Sequence, residues 1–94
     1  MTEQVSLSGD IDLPVRDEVH ALVDAAARAA AGDGRRLVID LGAVTFMDST
    51  GLTCIAHAVR VIGPEGQVVL TRTPASVRRT LDIAGLAYLC DDTT

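Results

Sequence analysis

A nearly unbroken apolar run in the middle of the chain constrains the fold more than any other feature. Residues 37–41 read Leu-Val-Ile-Asp-Leu and lie between Arg36 and Gly42. Runs of this kind are typical of strands in parallel sheets, where helices cover both faces. We therefore expect a parallel sheet with helices above and below it.

Strand-like patterns recur on both sides of this run. Alternation of apolar and polar residues over 5–11 predicts a half-buried first strand that ends near Gly9. The segment QVVLT at 67–71 predicts a third strand, and LAYLC at 86–90 predicts a short fourth strand. Residues 91–94 form a polar tail.

Three helices are predicted between these strands. Their starts are marked by Asp12, the candidate cap of the first helix, with Pro14 in the first turn, by the residues that follow Asp48, and by Thr73-Pro74. Glycines at 32–34, 63–66 and 85 end them. The residues expected to face inward are Val15, Val19, Leu22, Val23, Ala26 and Ala30 in the first helix, Leu52, Ile55, Ala56, Val59 and Ile62 in the second, and Val77, Leu81 and Ala84 in the third.

The order β-α-β-α-β-α-β predicts an α/β fold with about four mostly parallel strands, joined by three right-handed crossover helices. The chain has 94 residues, which suits one domain with its own core. We therefore predict a single domain over 1–94.

Charge and cysteine content narrow the classes of partner and compartment. The formal net charge is −5, and all eight basic residues are arginines, which argues against nucleic acid or an anionic membrane as a partner. Cys54 and Cys90 have no metal-type spacing and are expected to be reduced core residues. With no leader-like N-terminus and no span-length apolar run, the sequence predicts a cytoplasmic protein.

The stretch FMDSTGL at 46–52 carries the strongest functional signal. Asp48, Ser49 and Thr50 are residues that cap helix N-termini, where free backbone N–H groups and the helix dipole also favour a phosphoryl group. Three such residues exceed what one helix start requires. Gly51 costs about 1 kcal/mol of helix propensity relative to Ala, and its missing side chain leaves room for an approach to the backbone. Ser49 is thus either a structural helix cap or a regulatory switch that carries a phosphoryl group.

A catalytic role for Ser49 lacks its partners. A serine nucleophile needs a histidine within hydrogen-bond reach. His57 lies along the same predicted helix, about 12 Å away by helical rise, and nothing directs His20 toward Ser49. The sequence also has no phosphate-binding glycine loop or nucleophile elbow. We expect no enzyme activity, no cofactor and no metal site.

A second alternative for Ser49 is a prosthetic arm. Small acidic carrier proteins hold phosphopantetheine on a serine in an Asp-Ser-Leu sequence at a helix start. Carriers are helical bundles, however, whereas this chain has predicted strands, and Thr50 stands where a carrier would have Leu.

Several segments together resemble the STAS domain, and within it the bacterial anti-sigma factor antagonists. The segments are Gly-Asp-Ile-Asp at 9–12, Asp40-Leu41 at the end of an apolar strand, FMDSTGL at 46–52 and VRRTLDIAGL at 77–86. The resemblance covers residues 5–90.

This resemblance implies partner switching. Ser49 would be phosphorylated by an anti-sigma factor that is also a serine kinase, and a dedicated phosphatase would remove the phosphate. The unmodified form would bind the kinase and release the sigma factor. Asp12, Asp48, Thr50 and Gly51 would shape the docking surface around Ser49.

The chain also departs from that family, because it looks trimmed at both ends. Few residues precede Gly9 or follow Cys90. An uncovered sheet edge can pair with a second copy of the chain, so a homodimer is one outcome. Small STAS subunits that dock on the ATPase of lipid-transport ABC systems share this trimming, and they are the alternative function.

Overall fold

A three-stranded parallel sheet forms the centre of the protein, as seen in a computed structural model that describes residues 2–30 and 35–91. The strands are β1 (Thr2–Ile11), β2 (Arg36–Met47) and β3 (Gln67–Thr71), in the spatial order β1-β2-β3. The helices are α1 (Arg16–Ala30), α2 (Ser49–Ile62) and α3 (Ala75–Ile83). Short 3₁₀ helices occupy Leu13–Val15 and Ala87–Leu89. The predicted α/β class with parallel strands and three helices is confirmed.

The two central crossovers place α1 beside α2. Both β1-α1-β2 and β2-α2-β3 step one strand in the same direction, and right-handed crossovers of that kind put their helices on the same face of the sheet. The two helices pack against each other. Residues far apart in sequence on α1 and α2 are therefore neighbours in space.

Strand β2 supplies the middle of the core, but it is fully buried on one face only. Leu37, Ile39 and Leu41 have no exposed surface, whereas Val38 and Asp40 between them are partly exposed. The second face of this strand is thus only partly covered, where full cover on both faces was expected. A carboxylate within the run is consistent with this, because a charged group is rarely buried without a partner.

The strands also extend beyond their predicted bounds. β1 begins at Thr2, and β2 continues through residues 42–47 to the start of the Asp48 motif. The pairing of β1 with β2 shifts register twice, and Gly9 lies at the second shift with a φ of 72°. That conformation favours glycine, which explains why a strand continues through a residue expected to end it.

The predicted fourth strand at 86–90 is wrong. Its backbone bonds locally: the N–H groups of Leu89 and Cys90 donate to carbonyl oxygens three residues back, which forms the second 3₁₀ helix. Only the end of the segment reaches the sheet, where Cys90 makes a parallel bridge with Leu70 and the Asp91 N–H donates to the Leu70 carbonyl oxygen at 2.8 Å.

The buried faces of the helices match the predicted stripes in part. Val77 and Leu81 of α3 are buried as predicted, whereas Ala84 lies past the helix end and is exposed. Leu22 is exposed although it was expected to face inward. On α2 the buried residues are Thr50, Gly51, Cys54, Ile55, Ala58 and Ile62, so the stripe is rotated relative to the prediction, with Leu52, Ala56 and Val59 only partly buried.

Both cysteines are free and buried within the hydrophobic core, as expected of small core residues. The predicted stop of the first helix at 32–34 and most of the polar tail lie outside the described residues. Within the described residues, no strand pairs with the outer edge of β1, and the homodimer stays a prediction.

Candidate functional site

The carboxyl ends of β1 and β2 lie side by side and carry the predicted site. Ile11 pairs with Met47 at the end of both strands, and the next backbone N–H, of Asp48, donates to the Ile11 carbonyl oxygen at 3.3 Å. Asp12 and Asp48 therefore leave the sheet at neighbouring points. The structure brings together the two acidic residues that the resemblance assigns to one docking surface.

Asp48, one of three adjacent candidates, is the residue that caps α2. Its backbone is extended, and its Oδ1 accepts the Thr50 N–H at 2.8 Å. Its carbonyl oxygen accepts the N–H groups of Gly51 at 3.1 Å and Leu52 at 3.3 Å. The cap thus belongs to Asp48, because this side chain satisfies a donor that has no partner within the helix.

Asp12 occupies the corresponding position before the first 3₁₀ helix, but its side chain makes no capping hydrogen bond there. The backbone alone closes this turn, since the Val15 N–H donates to the Asp12 carbonyl oxygen at 3.1 Å. The expectation that Asp12 caps the first helix through its side chain is therefore wrong. The regular helix begins only at Arg16, after this turn.

Ser49 is the first residue of α2 and is exposed. Its carbonyl oxygen accepts the Thr53 hydroxyl at 2.9 Å. Because Asp48 provides the cap, the Ser49 side chain is not needed for that task. An exposed hydroxyl at the positive end of a helix is accessible to another protein, and this is the geometry that a modified serine requires.

A groove of about 490 Å³ lies beside Ser49, between the start of α1 and the first turns of α2. Its lining includes Leu13, which is 65% exposed, and Arg16. The full lining is Leu13, Arg16, Asp17, His20, Ser49, Thr50, Thr53 and Cys54. No sequence pattern indicated a role for the α1 side of this groove, because only the packing of α1 on α2 brings it next to Ser49.

Thr50 and Gly51 are buried, unlike Ser49. Thr50 is 9% exposed and reaches the groove from below. A Cβ built on Gly51 would lie 2.5 Å from Cγ of Met47, so the room left by this glycine is filled by a core side chain. The packing of Met47 therefore explains why a glycine is present at position 51. The contributions of Gly51 and Thr50 to partner binding stay predictions.

The charges along the groove are mixed. The Arg16 guanidinium lies 3.4 Å from an Asp17 carboxylate oxygen, and both side chains are largely exposed. Burial raises the pKa of the Cys54 thiol, against a smaller opposing effect of Arg16. Cys54 is thus a protonated thiol at neutral pH and a poor nucleophile.

The two histidines, which the sequence did not connect with each other, are neighbours. His20 and His57 have ring centroids 4.5 Å apart, and His57 Nε2 lies 2.6 Å from Oδ1 of Asp24. The expectation that the histidines do not meet Ser49 in a catalytic arrangement stays a prediction. The sequence did hold a signal for this cluster, because His20 and Asp24 are four residues apart and so share a helix face.

The sequence model of the family described as "Mlab, STAS domain" matches residues 2–91. A search of curated proteins finds no match. No helix among the described residues combines the length and the apolarity that crossing a bilayer requires.

Two solved structures are similar in fold. One is the anti-sigma factor antagonist SpoIIAA in its unphosphorylated form, with a TM-score of 0.79 and 21% identity, covering 99% of this chain and 80% of that one. The other is the STAS domain of a SulP transporter from Vibrio cholerae, with a TM-score of 0.66 and 17% identity, covering 98% of this chain and 70% of that one. At these identities the likeness concerns the fold.

Proposed function

Because the chain belongs to the STAS domain family, we propose that it is an anti-sigma factor antagonist controlled by phosphorylation at Ser49. In its unmodified form it binds an anti-sigma factor serine kinase and frees the sigma factor. A phosphatase reverses the modification. The observation that carries this proposal is the exposed Ser49 at the first position of α2, beside the groove that Leu13 borders.

The division of labour between Asp48 and Ser49 supports a switch. Asp48 holds the helix start, so Ser49 can be modified without removing the cap. A phosphoryl group adds about −1.5 to −2 charge, which the helix N-terminus tolerates. The fold is therefore expected to survive modification.

The partner surface would respond differently to the same charge. Leu13 offers exposed apolar area beside Ser49. A partner that buries Leu13 would also have to desolvate the phosphate, close to the carboxylates of Asp12 and Asp48. Desolvation of unpaired charge is costly, so binding is lost without a change of shape.

The remaining features of the proposal follow from the same role. Asp12, Asp48, Thr50 and Gly51 shape the docking surface around Ser49. The protein acts in the cytoplasm by binding other proteins, and it needs no catalytic residue, cofactor, nucleic acid or membrane.

A phosphorylation assay tests the proposal. The chain is incubated with ATP and each candidate anti-sigma factor kinase encoded in the same genome, and the site is mapped by mass spectrometry. We expect one phosphate, on Ser49, and none on the Ser49→Ala variant. Modification at a different residue, or none with any kinase, would argue against the proposal.

The alternative function is a small STAS subunit that docks on the ATPase of a lipid-transport ABC system. The observation that favours it is the description of the matching family model, which names Mlab and not an anti-sigma factor antagonist. Such a subunit needs no phosphorylation. Stable capture of that ATPase by the chain, equal for the wild type and Ser49→Asp, would select this function.

The carrier alternative loses support, because the parallel sheet is incompatible with a helical bundle.

A further inference from the structure

We propose that His20, Asp24 and His57 form a binding site for a divalent transition-metal cation such as Zn²⁺, between α1 and α2. One candidate ligand atom from each residue lies within 4.8 Å of the other two. This inference is independent of the proposed function.

The packing of two helices creates the cluster. His20 and Asp24 are four residues apart on α1, so their side chains lie on one face of that helix. α2 packs against α1 and brings His57 to the same place. Ligands on rigid helices hold their geometry better than ligands on loops.

The chemistry of the three groups suits Zn²⁺. Two imidazoles and one carboxylate make a three-ligand set that leaves a fourth position for water, as in many zinc sites. Hydrogen bonds from His57, and secondarily from Arg28, lower the pKa of Asp24. Asp24 is therefore present as a carboxylate at neutral pH, which is the form that binds a metal.

The cluster is accessible to an ion. His20 is exposed and lines the groove, while the side chains of Asp24 and His57 are 27% and 22% exposed. The contact between His57 and Asp24 at 2.6 Å is shorter than the spacing of two ligands around one Zn²⁺, at bond lengths of about 2.0–2.2 Å. Binding therefore requires these two side chains to separate slightly.

Arg28 competes with the cation. Its Nε lies 3.0 Å from both carboxylate oxygens of Asp24, and its own side chain is largely exposed. A bound cation would have to displace this guanidinium or tolerate its charge. Removal of Arg28 is thus expected to strengthen metal binding, which a purely structural role of the cluster would not produce.

Titration of the full chain, without a polyhistidine tag, tests the site. ZnCl₂ is added in a calorimeter, and Co²⁺ is used as a spectroscopic probe. We expect one Zn²⁺ per chain and visible Co²⁺ absorption bands of a tetrahedral or five-coordinate site. Since partners that only orient a ligand change affinity by about 10- to 100-fold, loss of a ligand should cost at least about tenfold.

The variants make the test specific. His20→Ala and His57→Gln should weaken Zn²⁺ binding and abolish the Co²⁺ bands, and Arg28→Ala should strengthen binding. Asp24→Asn should also weaken Zn²⁺ binding. Asp17→Asn is its matched control and should not, because Asp17 is an acidic residue of the same helix outside the cluster. Circular dichroism checks that each variant folds. Because His20 is exposed, His20→Ala is the variant that is least expected to disturb folding.

Two results would overturn the proposal. One is the absence of both a binding heat and Co²⁺ bands with the wild type. The other is binding that is unchanged in folded His20→Ala and His57→Gln, since the ion would then lie elsewhere on the chain.

Discussion

Asp48 and Ser49 are adjacent residues with separate tasks. The Asp48 carboxylate accepts the Thr50 N–H and holds the helix start, while Ser49 is exposed beside a groove. The sequence predicted a helix start here and a choice between cap and switch for Ser49. It could not assign the cap to one of three adjacent candidates, because that depends on which side chain turns back toward the helix N–H groups.

Two substitutions of Asp48 distinguish the contribution of its capping hydrogen bond to stability from that of its charge. Asp48→Ala should reduce the free energy of unfolding by about 1 kcal/mol, because the Thr50 N–H loses its acceptor. Asp48→Asn retains an oxygen at that position and should stay close to the wild type. Urea unfolding measures both. Equal losses in the two variants would show that the charge, not the hydrogen bond, holds the helix start.

Gly51 is expected to be required for packing. In Gly51→Ala, the new Cβ would lie 2.5 Å from Cγ of Met47, a side chain that is 3% exposed and so cannot move into solvent. The overpacking cost of about 1–3 kcal/mol should exceed the gain in helix propensity of about 1 kcal/mol.

A double-mutant cycle measures this clash. In the background Met47→Ala, which removes the obstructing atoms, Gly51→Ala should be neutral or stabilising. If Gly51→Ala costs the same in both backgrounds, the glycine is needed for a reason other than Met47.

At the scale of elements, an ion pair joins β2 to the residue that follows β3. The Arg72 Nη2 lies 3.0 Å from the Asp40 Oδ2, and the Gly42 N–H donates to Asp40 Oδ1 at 2.8 Å. Arg72 has a φ of 52°, a conformation that is uncommon for a residue other than glycine. The two strands are thus linked by side chains as well as by backbone pairing.

This ion pair should make stability depend on pH in the acid range. Hydrogen bonds from Arg72, and then from Gly42, lower the pKa of Asp40 below its ordinary value of 3.8. A lowered pKa in the folded state means that the contribution is present above the ordinary value and is lost as pH falls through the lowered pKa. Asp40→Asn should therefore lower the urea midpoint at neutral pH.

The difference in urea midpoint between the wild type and Asp40→Asn separates the effect of Asp40 from that of the other carboxylates. It should shrink as pH falls below 3.8 and through the lowered pKa of Asp40, because the wild-type carboxylate then becomes protonated. The variant keeps an oxygen for the Gly42 N–H, so its loss reflects the charge. A difference that stays constant over the whole range would contradict this assignment.

At the scale of the whole molecule, the sequence was most informative where one local pattern decides the structure. QVVLT gives a strand with the predicted bounds, and the parallel α/β arrangement follows from alternating strand and helix patterns. Residues 86–90 have an apolar pattern that fits a strand, yet local backbone hydrogen bonds form a 3₁₀ helix there.

The sequence of either helix alone could not predict that His20 and His57 are neighbours. Their proximity arises from the way α1 packs on α2, so it depends on the rotation of both helices about their axes. The same holds for Leu13 and Arg16 beside Ser49. Their position depends on the register between β1 and β2, which contains two irregularities that no local sequence pattern specifies.

A negative charge at Ser49 is expected to end partner binding while the domain stays folded. The most direct measurement is the affinity of the cognate anti-sigma factor kinase for Ser49→Asp, compared with Ser76→Asp. Ser76 is a suitable control because it is exposed in the first turn of α3 and, like Ser49, accepts a threonine hydroxyl through its carbonyl oxygen. We predict lost binding only for Ser49→Asp, with both variants as stable as the wild type. Full affinity of folded Ser49→Asp for that kinase would contradict the account.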